Sequence, residues 1–211
     1  MTEFTLIRHG ETVENLAGII QGHFNSELND IGREQAEAVA KRLKNESFDL
    51  FYSSDLRRAA ATAEAISRAN GMTFQPMVEL REWHLGALER QNADRMRELY
   101  PEVMDAFKHA PQKEVIVPEG ENYSEFHARI CNVMETLAEQ HPGKRLLIVT
   151  HGGVLREIFR MVVGAALPQN ALPLLTNTGY TKVRKNDLGE WQLCVWNDSS
   201  HLTKTREQKA F

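Results

Sequence analysis

The sequence predicts an α/β fold: three layers, α/β/α, around a mostly parallel central sheet. Three observations carry this. Short apolar runs at residues 4–7, 49–52 and 146–149 have the length of strands rather than helices. A segment with helical spacing follows later in the chain after each run, and strands alternating with helices fold as a parallel sheet covered on both faces. Each run also stops abruptly at polar or charged residues: Arg8-His9, Ser53-Ser54 and Thr150-His151. In a parallel sheet such ends share one edge, the edge where ligands bind.

Taken in order, residues 4–7 read as the first buried strand. Asn29-Asp30 caps a helix over residues 33–44, where Ile31, Ala36, Val39, Ala40 and Leu43 recur at helical spacing. Residues 49–52 are the next strand. Ser53-Ser54 are natural caps for a helix over about 55–69, which Gly71 stops. Residues 73–78 have a further strand pattern. Residues 91–122 differ from the rest: a charged helical stretch over 95–109 precedes Pro111, Pro118 and Gly120. This segment is expected to be a short cap-like insertion over the strand ends, within a single domain of residues 1–211. Tyr123 to Gln140 form a long amphipathic helix, broken by His141-Pro142-Gly143. Residues 146–149 are the strongest buried strand, and His151-Gly152-Gly153 lead into another helix. Residues 178–184 and 191–196 alternate around Asn186-Asp187-Leu188-Gly189, the pattern of a hairpin. The charged tail, about 203–211, is expected to be mobile.

Composition bounds the function classes. A chain of 211 residues can bury roughly 70% of its unfolded surface, so it needs neither disulfides nor a structural metal. The net charge of -4 argues against a general nucleic-acid surface, although it permits a local basic pocket. Two distant cysteines, Cys131 and Cys194, make no disulfide framework and suit a reducing, cytoplasmic setting. The N-terminal apolar run is too short for a signal peptide. Arg156, Glu157 and Arg160 interrupt the most apolar later stretch, so no membrane span is expected.

The chemistry lies at the strand ends. Arginine beside histidine in Arg8-His9-Gly10 suggests an anion clamp next to a nucleophile or base. Thr150-His151-Gly152-Gly153 repeats the pattern of strand, histidine and glycine turn. A histidine satisfied by backbone would explain one such segment, but two are harder to dismiss. Arg57-Arg58 sit in the first turns of a helix, where cations oppose the dipole; a bound anion would reconcile the two. Either arginine fits at this level. Glu82 lies beside Trp83, and shielding by the indole would raise its pKa and suit it to act as an acid. A satisfied surface ion pair is the plainer reading of that segment. No His-Glu-x-x-His, no clustered Asp or Cys, no glycine-rich nucleotide loop and no Gly-x-Ser-x-Gly occur. Neither a metal nor a cofactor is therefore expected.

Arg8-His9-Gly10-Glu11-Thr12, Ser53 through Arg58 and on to Ala63, Leu80-Arg81-Glu82 with Gly86, and Thr150-His151-Gly152-Gly153 stand in a telling order. In order and approximate spacing they resemble the histidine phosphatase superfamily, which includes the cofactor-dependent phosphoglycerate mutases and a large phosphatase branch. The resemblance extends to Asn15, Gln21-Gly22, Leu28, Gly32 and Trp196-Asn197-Asp198. It implies a phosphoglycerate mutase-like fold. It implies His9 as a nucleophile that forms a phosphohistidine, with Arg8 and Arg58 as the phosphate clamp. Arg58 is chosen over Arg57 because the family's arginine is the one followed by Ala-x-x-Thr. His151 resembles the second histidine, expected to be protonated and to steady the transferring group. Glu82 resembles the general acid. Asn15, Gln21, Gly22 and Gly152 complete the implied phosphate-binding set. Two positions depart from the family pattern: Glu14 stands where tryptophan is common, and Arg90 where glycine is usual.

The expected activity is metal-independent hydrolysis of a small phosphorylated metabolite, with no nucleic-acid or membrane partner. Mutase-type phosphoryl transfer is the runner-up, disfavoured because family mutases carry a longer insertion. A non-catalytic phosphate-binding module comes third, because every core position is filled. His23, Trp83, His84, Arg90, Lys108, His109 and Lys113 are candidate contacts to the substrate, with solvated surface or packing the plainer reading of each. The sequence does not state the oligomeric state or name the natural substrate.

Overall fold

Alternation along two central strands builds the layers. In the computed structural model, which describes residues 1–111, 113–168 and 171–203, the strand β4 (Arg145–Thr150) is buried along all but its first residue. Leu146 and Ile148 point into one apolar cluster, and Leu147 and Val149 into another. The neighbouring β1 (Thr2–Arg8) does the same with Phe4 and Leu6 against Ile7. Each such side chain, fully buried, contributes about 1.5–3 kcal/mol, which is why both sheet faces must be covered. On the face of Ile7 and Val149 lie α2 (Asp30–Leu43) and α3 (Arg57–Asn70). On the other lie α6 (Tyr123–Gln140) and α7 (Gly152–Val163).

The sheet has six strands in the order β3-β2-β4-β1-β5-β6, with β2 at Leu50–Ser53, β3 at Gln75–Pro76, β5 at Tyr180–Lys185 and β6 at Trp191–Asp198. β1 through β4 pair in parallel, and β5 runs antiparallel to both β1 and β6. The mixed, mostly parallel three-layer architecture is therefore the predicted one, with the hairpin at one edge.

Local differences have local causes. The strand expected over residues 73–78 shrinks to Gln75–Pro76, and Val78–Leu80 turns into 3₁₀ geometry. Proline donates no ladder hydrogen bond, which suits an edge strand that ends early. Helix α3 starts at Arg57 with Leu56 as its cap residue and no side-chain cap. The serines expected to cap it do not bind its first-turn amides: Ser53 Oγ donates to the Ser54 carbonyl, and Ser54 Oγ meets His151 and accepts from the Leu56 amide at 3.3 Å. Ile31 is exposed, whereas Ala36, Val39, Ala40 and Leu43 are buried. A short helix, α1 (Val13–Ala17), lies outside the predicted elements; Thr12 and Asn15 form its capping box.

The 91–122 segment folds as two helices rather than one, α4 (Ala93–Leu99) and α5 (Pro101–His109), because Tyr100-Pro101 interrupts the pattern. Met96, Ala106, Val115 and Val117 join the cluster that holds Trp83, Tyr123 and Phe126. Residues 204–211, most of the tail expected to be mobile, lie outside the described residues.

Candidate active site

Register brings the strand ends together. Arg8 pairs with Thr150 across β1 and β4, and Ser53 pairs with Val149 across β2 and β4. The next residues, His9, His151 and Ser54, therefore leave three adjacent parallel strands side by side. The rings of His9 and His151 lie 5.2 Å apart between centroids, and a 2.7 Å hydrogen bond joins Ser54 Oγ and His151 Nε2.

His9 is buried, and its Nδ1 lies 2.8 Å from the Gly10 carbonyl oxygen. A carbonyl can only accept, so Nδ1 carries the proton and Nε2 presents the lone pair. Burial, then Arg58 and Arg8, hold His9 well below the usual histidine range. A neutral imidazole with a fixed tautomer is what a nitrogen nucleophile requires. Burial and Arg58 likewise depress His151. This differs from the protonated state expected of it, because its side-chain partner is a serine hydroxyl rather than a carboxylate.

The arginines come from different elements. Arg8, on the same sheet face as Phe4 and Leu6, reaches toward the N-terminus of α7 and donates from Nη1 to the Leu175 carbonyl at 3.0 Å. Arg58, 1% exposed, donates to the Gly22 and Phe24 carbonyls at 2.7 and 2.9 Å. Burial pulls each guanidinium down to about 10, so both stay charged at neutral pH. Arg57, the alternative, instead pairs with Glu27 at the surface.

The remaining members of the implied set mostly frame the arginines. Gly22 holds Arg58 through its carbonyl. Gln21 accepts through Oε1 from the hydroxyls of Thr12 and Ser26. Asn15 accepts through Oδ1 from the Thr12 amide and from Asn177, which also donates to the His9 carbonyl at 2.8 Å. Gly152 opens α7, and a Cβ there would stand 3.3 Å from Arg8 Nε. A side chain there would push the guanidinium back by a few tenths of an ångström.

Glu82 closes the ring of groups from the loop after Leu80. Its carboxylate accepts from its neighbour's amide, Trp83, at 3.0 Å and from Gly153, in the first turn of α7, at 2.9 Å. Trp83 does not serve as the expected shield. Its indole stacks on Phe126 at 5.2 Å between centroids, packs against Phe107 and Tyr123, and donates to the Glu121 carbonyl. The groups that feel the Glu82 charge are Arg8, Arg58 and Arg156.

Four buried nitrogens have no hydrogen-bond partner: Nε of Arg8 and Arg58 and Nδ1 of His151, whose groups act on His9 or lie beside it, and Nε of Arg156, whose charge acts on Arg8 and Glu82. An unsatisfied buried donor costs about 1–3 kcal/mol. Such a cluster, three of its members cationic, is built to receive an anion. A description of the histidine phosphatase superfamily (branch 1) matches residues 4–199. The chain belongs to that superfamily. A metal-independent phosphoserine phosphatase of Arabidopsis thaliana is 37% identical over 96% of this chain and 84% of its own length. A phosphoglycerate mutase-like protein of the same plant is 35% identical over 96% and 88%. A solved phosphoserine phosphatase variant from Entamoeba histolytica, in complex with phosphoserine, superposes with a TM-score of 0.85 at 27% identity, covering 96% of this chain and all of that one. This member of the superfamily is an enzyme, a phosphatase of the histidine type.

Arg156, whose charge acts on Arg8 and Glu82 in this phosphatase, is not among the candidate residues read from the sequence. The signal was available: it follows Gly152 by four residues, one turn along α7, and helical side chains lean back toward the N-terminus. The expected leaving-group contacts scatter. His23 and His84 stack at 4.5 Å and line a cavity of about 480 Å³ with Val78, Arg81, Glu121 and Arg129 among others. Arg90 lies over the Phe24 ring with φ of 66°, the left-handed backbone that explains glycine as the family's usual residue there. Lys113 pairs with Asp105 at 2.9 Å, and His109 with the same carboxylate at 3.8 Å, on the surface. Among the described residues no group of three His, Cys, Asp or Glu could hold a metal ion, and no helix is long and apolar enough to cross a membrane.

Proposed function

We propose that this phosphatase hydrolyses a small phosphomonoester through a phosphohistidine on His9, without a metal. The observation that carries this is the convergence of unpartnered guanidinium and imidazole nitrogens on a neutral histidine whose Nε2 is free. In the first step Nε2 attacks phosphorus and the ester P–O bond breaks. Glu82, entering as the carboxylic acid, gives its proton to the leaving alkoxide. In the second, the Glu82 carboxylate takes a proton from water, the hydroxide attacks phosphorus, and the P–N bond breaks to release phosphate and neutral His9. Arg8 and Arg58 hold the transferring oxygens; each close charge pair is worth roughly 4 kcal/mol at an effective dielectric near 20, before desolvation. An arriving phosphate dianion also supplies the negative charge that lets His151 take up a proton.

Phosphoserine, or a similar phosphorylated hydroxy acid, is the substrate class to test first. Arg156 supports it: its charge acts on Arg8 and Glu82, and its buried Nε has no partner, which suits a carboxylate on the leaving group. The relative crystallised with phosphoserine supports the same class. The test is trapping of an acid-labile phosphoenzyme in the presence of a chelator. His9→Ala is expected to abolish the trapped species and lower kcat on the order of 10⁴-fold or more. Turnover of phosphoserine by His9→Ala at the wild-type rate overturns the proposal. Interconversion of 2- and 3-phosphoglycerate without phosphate release would assign mutase chemistry instead.

A further inference from the structure

We propose that Arg129, on α6, is a positioning residue that sets the acid Glu82, and that it does so jointly with Glu121 from the end of the 91–122 segment. This inference rests on the reading of Glu82 as the general acid. Arginine has five N–H donors in a planar fork, and the Arg129 guanidinium makes five contacts. Nε and Nη2 hold the two Glu121 carboxylate oxygens at 2.8 and 2.7 Å. Nη1 reaches the carbonyls of Glu79 and Arg81, both at 2.8 Å, and Nη2 that of Glu82 at 3.2 Å. The acid loop has no sheet ladder to hold it, because β3 ends at Pro76. Its carbonyls are gathered onto one cation instead.

The clasp acts on the acid from both sides. The Glu82 carbonyl takes a second donor, His23 Nε2, at 2.8 Å, while its carboxylate is held by Gly153 on α7. With the backbone held by Arg129 and His23, the side chain reaches the Gly153 amide at the α7 N-terminus. Glu121 binds the next residues along the loop: its carbonyl accepts from Trp83 Nε1 at 2.6 Å, and its amide donates to the His84 carbonyl at 2.9 Å. The pair is mostly shielded, with side-chain exposures of 21% and 16%. Lysine, with three donors on a point charge, cannot reproduce the bidentate grip and the carbonyl contacts together.

Acid catalysis matters only where the leaving group is poor, and this gives a readout that loss of folding would not move. An alkyl phosphate needs the Glu82 proton to release an alkoxide; p-nitrophenyl phosphate releases a stable phenolate without it. The experiment compares kcat/KM for glycerol 3-phosphate or phosphoserine with kcat/KM for p-nitrophenyl phosphate, each pair measured on one preparation so that the folded fraction cancels. Glu82→Gln is the reference. For Arg129→Met the alkyl ester is expected to lose about 10- to 100-fold, part of the 10²–10⁴ a general acid supplies, while the aryl ester stays within about threefold. Glu121→Gln and Arg129→Lys should show the same split at smaller size, and they serve if Arg129→Met fails to fold. Equal losses on both substrates, or no loss, overturn the positioning role while leaving the phosphatase reading intact. Absence of the split in Glu82→Gln itself removes the acid assignment, and this inference with it.

Discussion

Arg58 shows how much one side chain depends on a distant loop. It starts on a helix whose N-terminus repels cations, yet it is buried and held at Gly22 and Phe24 by carbonyls. Those two bonds orient the fork and leave Nε without a partner, while the Arg58 charge lowers the pKa of both histidines. Lysine would keep the charge and lose the geometry. Arg58→Lys is therefore expected to lower kcat/KM for a phosphate monoester by on the order of 10²- to 10³-fold, the scale of removing one preorganised charge-stabilising donor. Steady-state kinetics on the purified variant check this, and a loss below about tenfold would count against the clamp. His9 needs a comparable constraint, which its own neighbour Gly10 supplies by fixing the tautomer.

At the scale of elements, α6 and α7 meet through a buried polar cluster rather than through side-chain packing alone. Glu157, on α7, is 1% exposed. It pairs with Arg160 and accepts from Tyr123 Oη at 2.9 Å and from His127 Nδ1 at 3.0 Å. The cluster ties the helix that carries Arg129 to the helix that carries Gly153. The hydrogen bond to Glu157 raises the His127 pKa. A raised histidine adds stability that is fully present below its unfolded value of about 6.5 and is lost as pH rises through the folded value. Wild type should therefore exceed His127→Gln in stability most clearly near pH 6, with the gap closing toward pH 8.5. Since the His127 side chain is 45% exposed, the change should be about 1 kcal/mol or less. Denaturant midpoints of the two proteins across that range check the sign; a gap that widens with pH contradicts it.

For the whole molecule, a chain of net charge -4 gathers Arg8 and Arg58 around two histidines held neutral, with Arg156 near enough to Arg8 to lower its pKa. Folding thus concentrates cations against their own repulsion, and an anion relieves the strain. Any anion that binds the folded state alone stabilises it by mass action: about 2.7 kcal/mol at 100 times its Kd. Inorganic phosphate is expected to raise the Tm in a concentration-dependent way, and Arg58→Gln should remove most of that rise. A Tm shift that survives in Arg58→Gln would place the bound phosphate elsewhere. A thermal scan with chloride as the ionic-strength control measures it.

The sequence by itself determined the α/β class and the strands that end at Arg8, Ser53 and Thr150, which follow from a local rule, apolar runs of strand length. The 18-residue helix Tyr123–Gln140 was legible from a local rule too, its amphipathic spacing. The residues proposed for phosphate chemistry were named through the chain's resemblance to a family. What only the tertiary structure decided is the set of partners. That Trp83 packs into the core, that the Gly153 amide holds the Glu82 carboxylate and that Ser54 meets His151 depend on contacts between residues 40 to 100 apart, and the action of Arg156 on Arg8 and Glu82 depends on a side chain's direction from its helix. The Arg129 clasp is of that kind too. Its acceptors are backbone carbonyls, which every residue carries and no sequence pattern marks, so only folding could show which of them one guanidinium gathers.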